Sequence, residues 1–119
     1  MKLKNFDLKE FDSPDLPNSG KNMDKDFLRS LDELRTACGF PFIVTSGYRT
    51  KYHNTKVGGV ANSAHTRGLA VDIACVDSHR RYLIVYNAPL FGFTRIGIGK
   101  NFIHLDMDRN LVSSVIWLY

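Results

Sequence analysis

The chain has 119 residues, 44% of them hydrophobic and 24% charged, with 16 Lys and Arg against 12 Asp and Glu. That length can bury roughly two thirds of its unfolded surface in one core, and the composition is that of a soluble globule rather than a fibrous, low-complexity or disulfide-scaffold chain. The net charge of +4 and a pI near 9.2 invite nucleic acid, but the basic residues are scattered, no helix-turn-helix or aromatic nucleic-acid motif occurs, and nucleic-acid binding is not expected.

The first eleven residues interleave charges with Leu3, Phe6, Leu8 and Phe11 and hold no continuous apolar run. They read as neither a secretory signal nor a membrane span. Pro14, Pro17 and Gly20 fall among Asp, Ser and Asn, so residues 1–22 are expected to form an irregular arm that covers the domain. From Asp24 to Cys38, Phe27, Leu28, Leu31, Leu34 and Cys38 recur at helical spacing, with Asn22 or Asp24 available to cap the start and Gly39 and Pro41 to end it. Phe42 to Ser46 is rich in β-branched residues and predicts a strand that delivers Tyr48 and Arg49. Residues 51–62 read as a loop turning at Gly58 and Gly59, with His53 at the surface or behind the site and Asn54 tying the backbone.

Gly68 to Cys75 predicts a second strand, in which Leu69, Val71 and Ile73 face a core while Gly68, Ala70 and Asp72 face the other way. The small residues would leave a trough in front of the one carboxylate, and His65 lies in a turn-rich segment just before it. Asp77 and Ser78 supply a cap for a helix over 80–87 that stops before Pro89, with His79 exposed at its first turn. Gly92 to Gly99 and Phe102 to Met107 predict a hairpin turning near Lys100 and Asn101, and Leu111 to Tyr119 a last strand or docked tail. Alternation puts Phe102, His104 and Asp106 on one face. Cys38 and Cys75 are too few for a scaffold and read as buried free thiols.

His65, Asp72 and His104 are thus a candidate three-ligand zinc set that leaves a fourth position for water. Each alone has an ordinary reading: a histidine beside a strand is commonly a hydrogen-bonded core or surface residue, and an aspartate at a strand end commonly faces water. Arg49, too, could be only a solvated cation.

Ser63-x-His65-x-x-Gly68-x-Ala70-x-Asp72 follows Ser46-Gly47-Tyr48-Arg49 and Asn54-x-x-Val57-Gly58-Gly59, and precedes His104-x-Asp106. In this order and spacing the chain resembles the zinc D-Ala-D-Ala carboxypeptidase family, which includes peptidoglycan L,D-endopeptidases, phage lysins and vancomycin-resistance dipeptidases and shares its fold with the hedgehog signalling domain. The resemblance implies one zinc ion per chain on His65, Asp72 and His104, Arg49 at the active site, and Ser63 at its rim holding a substrate amide. Arg49 would bind a terminal carboxylate or stabilise an oxyanion.

The chain departs from many members of that family at Asn101, where they carry an acidic residue three positions before the last histidine. Asn101 cannot shuttle a proton, so Asp106, on His104's face, is the expected general base, with Asp108 as the fallback. The expectation is a single α+β domain over 1–119, a small antiparallel sheet with two main helices, acting as a monomeric zinc peptidase on peptidoglycan stem peptides or cross-links. With no leader and no membrane segment read from the sequence, it would reach the cell wall by phage lysis or virion delivery. The alternative is a catalytically silent zinc module that binds wall fragments or a protein partner.

Overall fold

A computed structural model describes Met1–Tyr119, with helices α1 (Lys25–Cys38), α2 (Lys51–Lys56) and α3 (Ser78–Asn87) and strands β1 (Ile43–Ser46), β2 (Ala70–Ala74), β3 (Arg95–Ile98), β4 (Phe102–Asp106) and β5 (Val115–Leu118). The five strands form one sheet in the order β1-β2-β4-β3-β5. Val71, Ile73, Ile103, Leu105 and Ile96 pack with Phe27, Leu28, Leu31 and Leu34 of α1 and Ile84 of α3 in the hydrophobic core. Burying such side chains stabilises the fold by about 1.5–3 kcal/mol each, which is what holds the helices to the sheet.

Local chemistry fixes the helix ends. The Asp24 carboxylate accepts the Phe27 N–H and Asp77 accepts that of Arg80, contacts worth about 1 kcal/mol each. Gly39 ends α1 at φ +80°, where a Cβ would be strained. The N-terminal arm is not a loose cover. Phe11 and Ser13 are buried, and the Phe11 carbonyl accepts the Tyr48 N–H, so the arm braces the segment that carries Arg49.

The structure corrects the expected fold in two places. The sheet is mixed: β1, β2, β4 and β3 pair antiparallel, whereas β5 runs parallel to β3. Alternation identifies the face of a strand but not its partner, and the chain crosses back after β4 to add β5 on the free edge of β3. There are three helices, because residues 51–56 of the expected loop form α2, capped by the Thr50 hydroxyl, which accepts the His53 N–H. No apolar period announces α2, since its one buried residue is the polar Asn54. No helix is long and apolar enough to cross a membrane.

Candidate metal centre

Pairing places the site on a single row across the sheet. Ser46 of β1 lies opposite Asp72 of β2, Asp72 opposite His104 of β4, His104 opposite Gly97 of β3, and Gly97 opposite Trp117 of β5. These residues lie on the face of the sheet away from α1 and α3, with α2 beside them through Asn54 and Arg49. His65 joins the row from a short 3-10 turn, Ala64–Arg67, that Gly68 ends at φ +71°. Gly68 has a second reason to lack a side chain: a Cβ there would stand 2.4 Å from the Asn22 carbonyl oxygen.

Ligand atoms of His65, Asp72 and His104 all lie within 4.8 Å of one another, and all three residues are buried. Hydrogen bonding assigns the role of each ring nitrogen. His65 Nδ1 is 2.8 Å from the Gly47 carbonyl oxygen and must donate to it, so Nε2 carries the lone pair. That Nε2 is buried without a hydrogen-bond partner, 3.4 Å from Asp72 Oδ1. His104 Nε2 lies 2.7 Å from Asp106 Oδ2, which leaves Nδ1 facing Asp72 Oδ1 at 2.9 Å.

Two imidazoles therefore aim a nitrogen at one carboxylate while their other nitrogens are held by acceptors, the arrangement that orients histidine for a metal. Ligands about 2.1 Å from zinc at tetrahedral angles stand ~3.4 Å apart. The His65 to Asp72 separation matches that spacing, and an orphaned buried nitrogen is what a cation would satisfy.

Charge follows the geometry. Burial alone would raise the Asp72 carboxyl, but the hydrogen bond to His104 and the adjacent His65 ring outweigh it and hold the group well below the usual carboxylate range. Burial alone would lower His104, but Asp106 and Asp72 outweigh it and raise its pKa, which favours a proton between His104 Nδ1 and Asp72 Oδ1, 2.9 Å apart, when no metal is bound. The row is a sink for one positive charge, supplied by a proton or by a cation.

The remaining expected residues fall into two groups. Arg49 lies beside the ligands, with Nε donating to Ser46 Oγ at 3.0 Å, one terminal nitrogen to Asn54 Oδ1 at 3.2 Å, and the other 3.4 Å from Asp72 Oδ2. Ser63 is at the cleft, but its hydroxyl accepts the His65 N–H and so shapes the turn that carries a ligand.

Asp106 shares His104's face as alternation requires, yet it is 1% exposed and its carboxylate is occupied. Oδ2 accepts from His104 Nε2 at 2.7 Å and from Arg95 Nε at 3.2 Å, while Oδ1 accepts the Asp108 N–H at 3.1 Å and lies 3.0 Å from Arg95 Nε. These contacts fit an acceptor that holds His104; the sequence reading expected the same carboxylate as general base. Asp108 is likewise buried and bound by Arg67 through Nε at 2.7 Å and a second guanidinium nitrogen. His53 is half-buried on α2 and outside the ligand group, and His79 is exposed. Burial pushes the Cys38 thiol up to about 11 and Cys75 upward as well, in keeping with unreactive free cysteines.

Sequence reasoning gave no role to Arg95 or Trp117, and expected the glycines of the 92–99 strand only to let the backbone approach the trough closely. Arg95 stacks over Trp117 at 5.1 Å while bonding Asp106, and Trp117 packs 5.4 Å from the His104 ring. A Cβ on Gly97 would meet the Trp117 and Tyr119 rings at 2.7 Å, so this glycine is what lets both rings lie over β3 and Trp117 lie beside His104. The row order was available only once β5 was known to pair with β3. Around the candidate ligands opens a cleft of about 480 Å³, its walls including Val57 to Val60 and Phe102, Trp117 and Tyr119.

The Peptidase M15 family model matches residues 7–106, and the chain belongs to that family of zinc metallopeptidases. No curated protein matches the sequence.

Proposed function

We propose that the chain is a zinc peptidase that hydrolyses peptide bonds in peptidoglycan stem peptides or cross-links, with the ion held by His65 Nε2, Asp72 and His104 Nδ1. The observation that carries this reading is the pair of buried imidazoles, each fixed through its other nitrogen, converging on one carboxylate in the floor of an open cleft. Family membership supports the reaction class. When bound, zinc supplies a Lewis acid for the scissile carbonyl and lowers the pKa of a coordinated water.

The chain's own residues do the rest. Asp72 offers the single anionic ligand, so the centre keeps a net positive charge. Asp106 accepts the proton on His104 Nε2 and, itself neutralised by Arg95, holds that ring in the tautomer that frees Nδ1. Arg49 has five N–H groups, of which three are engaged by Ser46, Asn54 and Asp72. The other two form a fork for a carbonyl or carboxylate oxygen of the peptide. Trp117, Tyr119 and Phe102 exclude water from one side of the cleft and offer an apolar wall to the substrate.

A second reading keeps the ion but not the reaction. It is favoured by the commitment of both Asp106 and Asp108 to other partners and by the exposed position of Asn101. In that case the cleft binds wall fragments without cutting them. Mass spectrometry of products from purified peptidoglycan incubated with zinc-loaded and chelated protein separates the two. New amine termini at one bond type, formed only with zinc, support the peptidase and name the bond. Retention of wall fragments by zinc-loaded protein with no new termini leaves the binding module.

A further inference from the structure

Asn54 is 3% exposed, and its carboxamide is used at both ends. Oδ1 accepts from an Arg49 guanidinium nitrogen at 3.2 Å, and Nδ2 donates to the Val60 carbonyl at 2.8 Å. Its backbone carbonyl accepts the Gly59 N–H at 2.8 Å. Gly59 is shaped around it, because a Cβ there would stand 2.0 Å from Asn54 Oδ1. One buried side chain therefore links the guanidinium beside the candidate zinc ligands to the loop that walls the cleft.

We propose that Asn54 is a positioning residue that sets the Arg49 fork and the Val57–Val60 wall together, so that substrate seated on the wall meets a guanidinium already aimed at the reacting carbonyl or carboxylate. This rests on the peptidase reading above. Only a carboxamide satisfies both neighbours: an aspartate keeps the acceptor for Arg49 but turns a second oxygen toward the Val60 carbonyl, and an alanine keeps neither. With Asn54 in place, three contacts restrain the guanidinium and its orientation need not be set at the moment of binding. Without it, Arg49 Nη1 loses its Asn54 partner and the fork is held only by Ser46 and the longer contact to Asp72. A displacement of about 1 Å at such a group can cost on the order of 100-fold in rate.

The test has one arm that does not depend on activity. In the full-length, nitrogen-15-labelled protein, the Arg49 Nε–H signal is identified by its loss in Arg49→Lys, and its exchange with water is measured with and without zinc. Exchange should quicken ~10-fold or more in Asn54→Ala and in Gly59→Ala, whose methyl group displaces the carboxamide, and stay near wild type in Asn54→Asp. In the second arm, Asn54→Ala should lower kcat/KM by roughly 10- to 100-fold, and by far less when Arg49 is already alanine. Unchanged Nε–H exchange in Asn54→Ala, or a loss that adds in full to that of Arg49→Ala, overturns the proposal. Wild-type protein that binds zinc but hydrolyses nothing overturns the peptidase reading instead, and the exchange arm then decides Asn54 by itself.

Discussion

The middle of the sheet and the walls of its cleft are built in opposite ways. On β2 and β4, Asp72, His104 and Asp106 are nearly inaccessible and pair with one another, and the two carboxylates are further held by Arg49, Arg95 and the Asp108 N–H. At the walls, Val57, Val60 and Tyr119 are 52%, 72% and 68% exposed, and their place depends on neighbours that are small or absent, as at Gly59 and Gly97. The comparison separates two jobs. On the proposed reading, a centre that is to hold a cation in one geometry sits where strand pairing leaves no freedom, while surfaces that would meet a peptide sit where side chains can change at little cost to the fold.

Substitutions should respect that division, most strongly at the centre. Asp72→Asn removes the one anionic ligand, and zinc analysis should find less than one ion per chain, with a loss of hydrolysis well beyond the ~100-fold that losing an outer hydrogen-bond partner costs. Asp106→Asn is milder and more informative. If Asp106 holds His104, zinc affinity weakens about 10- to 100-fold and activity returns at saturating zinc. If Asp106 is instead a proton shuttle, affinity is unchanged and activity stays lost whatever the zinc concentration.

The pH dependence of the chelated chain sharpens the same point. His104's pKa is raised in the fold, so its contribution is complete below its ordinary value of 6.5 and is lost as pH rises through the raised one. Asp72's is lowered, so its contribution is complete above 3.8 and is lost as pH falls through the lowered value. Thermal melts of chelated protein should therefore place the full benefit of this pair between about pH 4 and 6.5, with stability declining above that window. Zinc must displace the proton shared with Asp72, so its affinity should climb over the same rise in pH. A flat melting profile across neutral pH would show that the row does not carry that proton.

At the walls the effects should shrink. Tyr119→Ala, which removes an aromatic contact with Phe102 and Trp117, should raise KM roughly 2- to 10-fold and leave zinc stoichiometry unchanged. A Tyr119 variant that loses zinc would break the proposed separation of centre and wall.

What could be read from the sequence follows the same boundary. Alternation along residues 68–75 and 102–107 was enough to put Asp72 and His104 on one face, because strands with one buried face have a fixed phase. The α1 helix was legible from its apolar spacing and Asp24 cap. The α3 helix is two residues longer at its start than the apolar pattern indicated, since Ser78 and His79 are exposed. Contacts that depend on which strands pair were not legible. Arg95 reaches Asp106 and Trp117 reaches His104 only through the pairing of β3 with both β4 and β5. Asn54 was legible as a loop tie, but not as a partner of Arg49, because α2 has no periodic face to reveal its direction.

The most direct test of the account is to titrate zinc into chelated protein while counting peptide amines released from purified peptidoglycan in the same samples. The account predicts that release rises with bound zinc, levels off at one ion per chain, and is absent from Asp72→Asn at matched total zinc. Release that persists in chelated protein, or one tightly bound zinc per chain with no release, would contradict it.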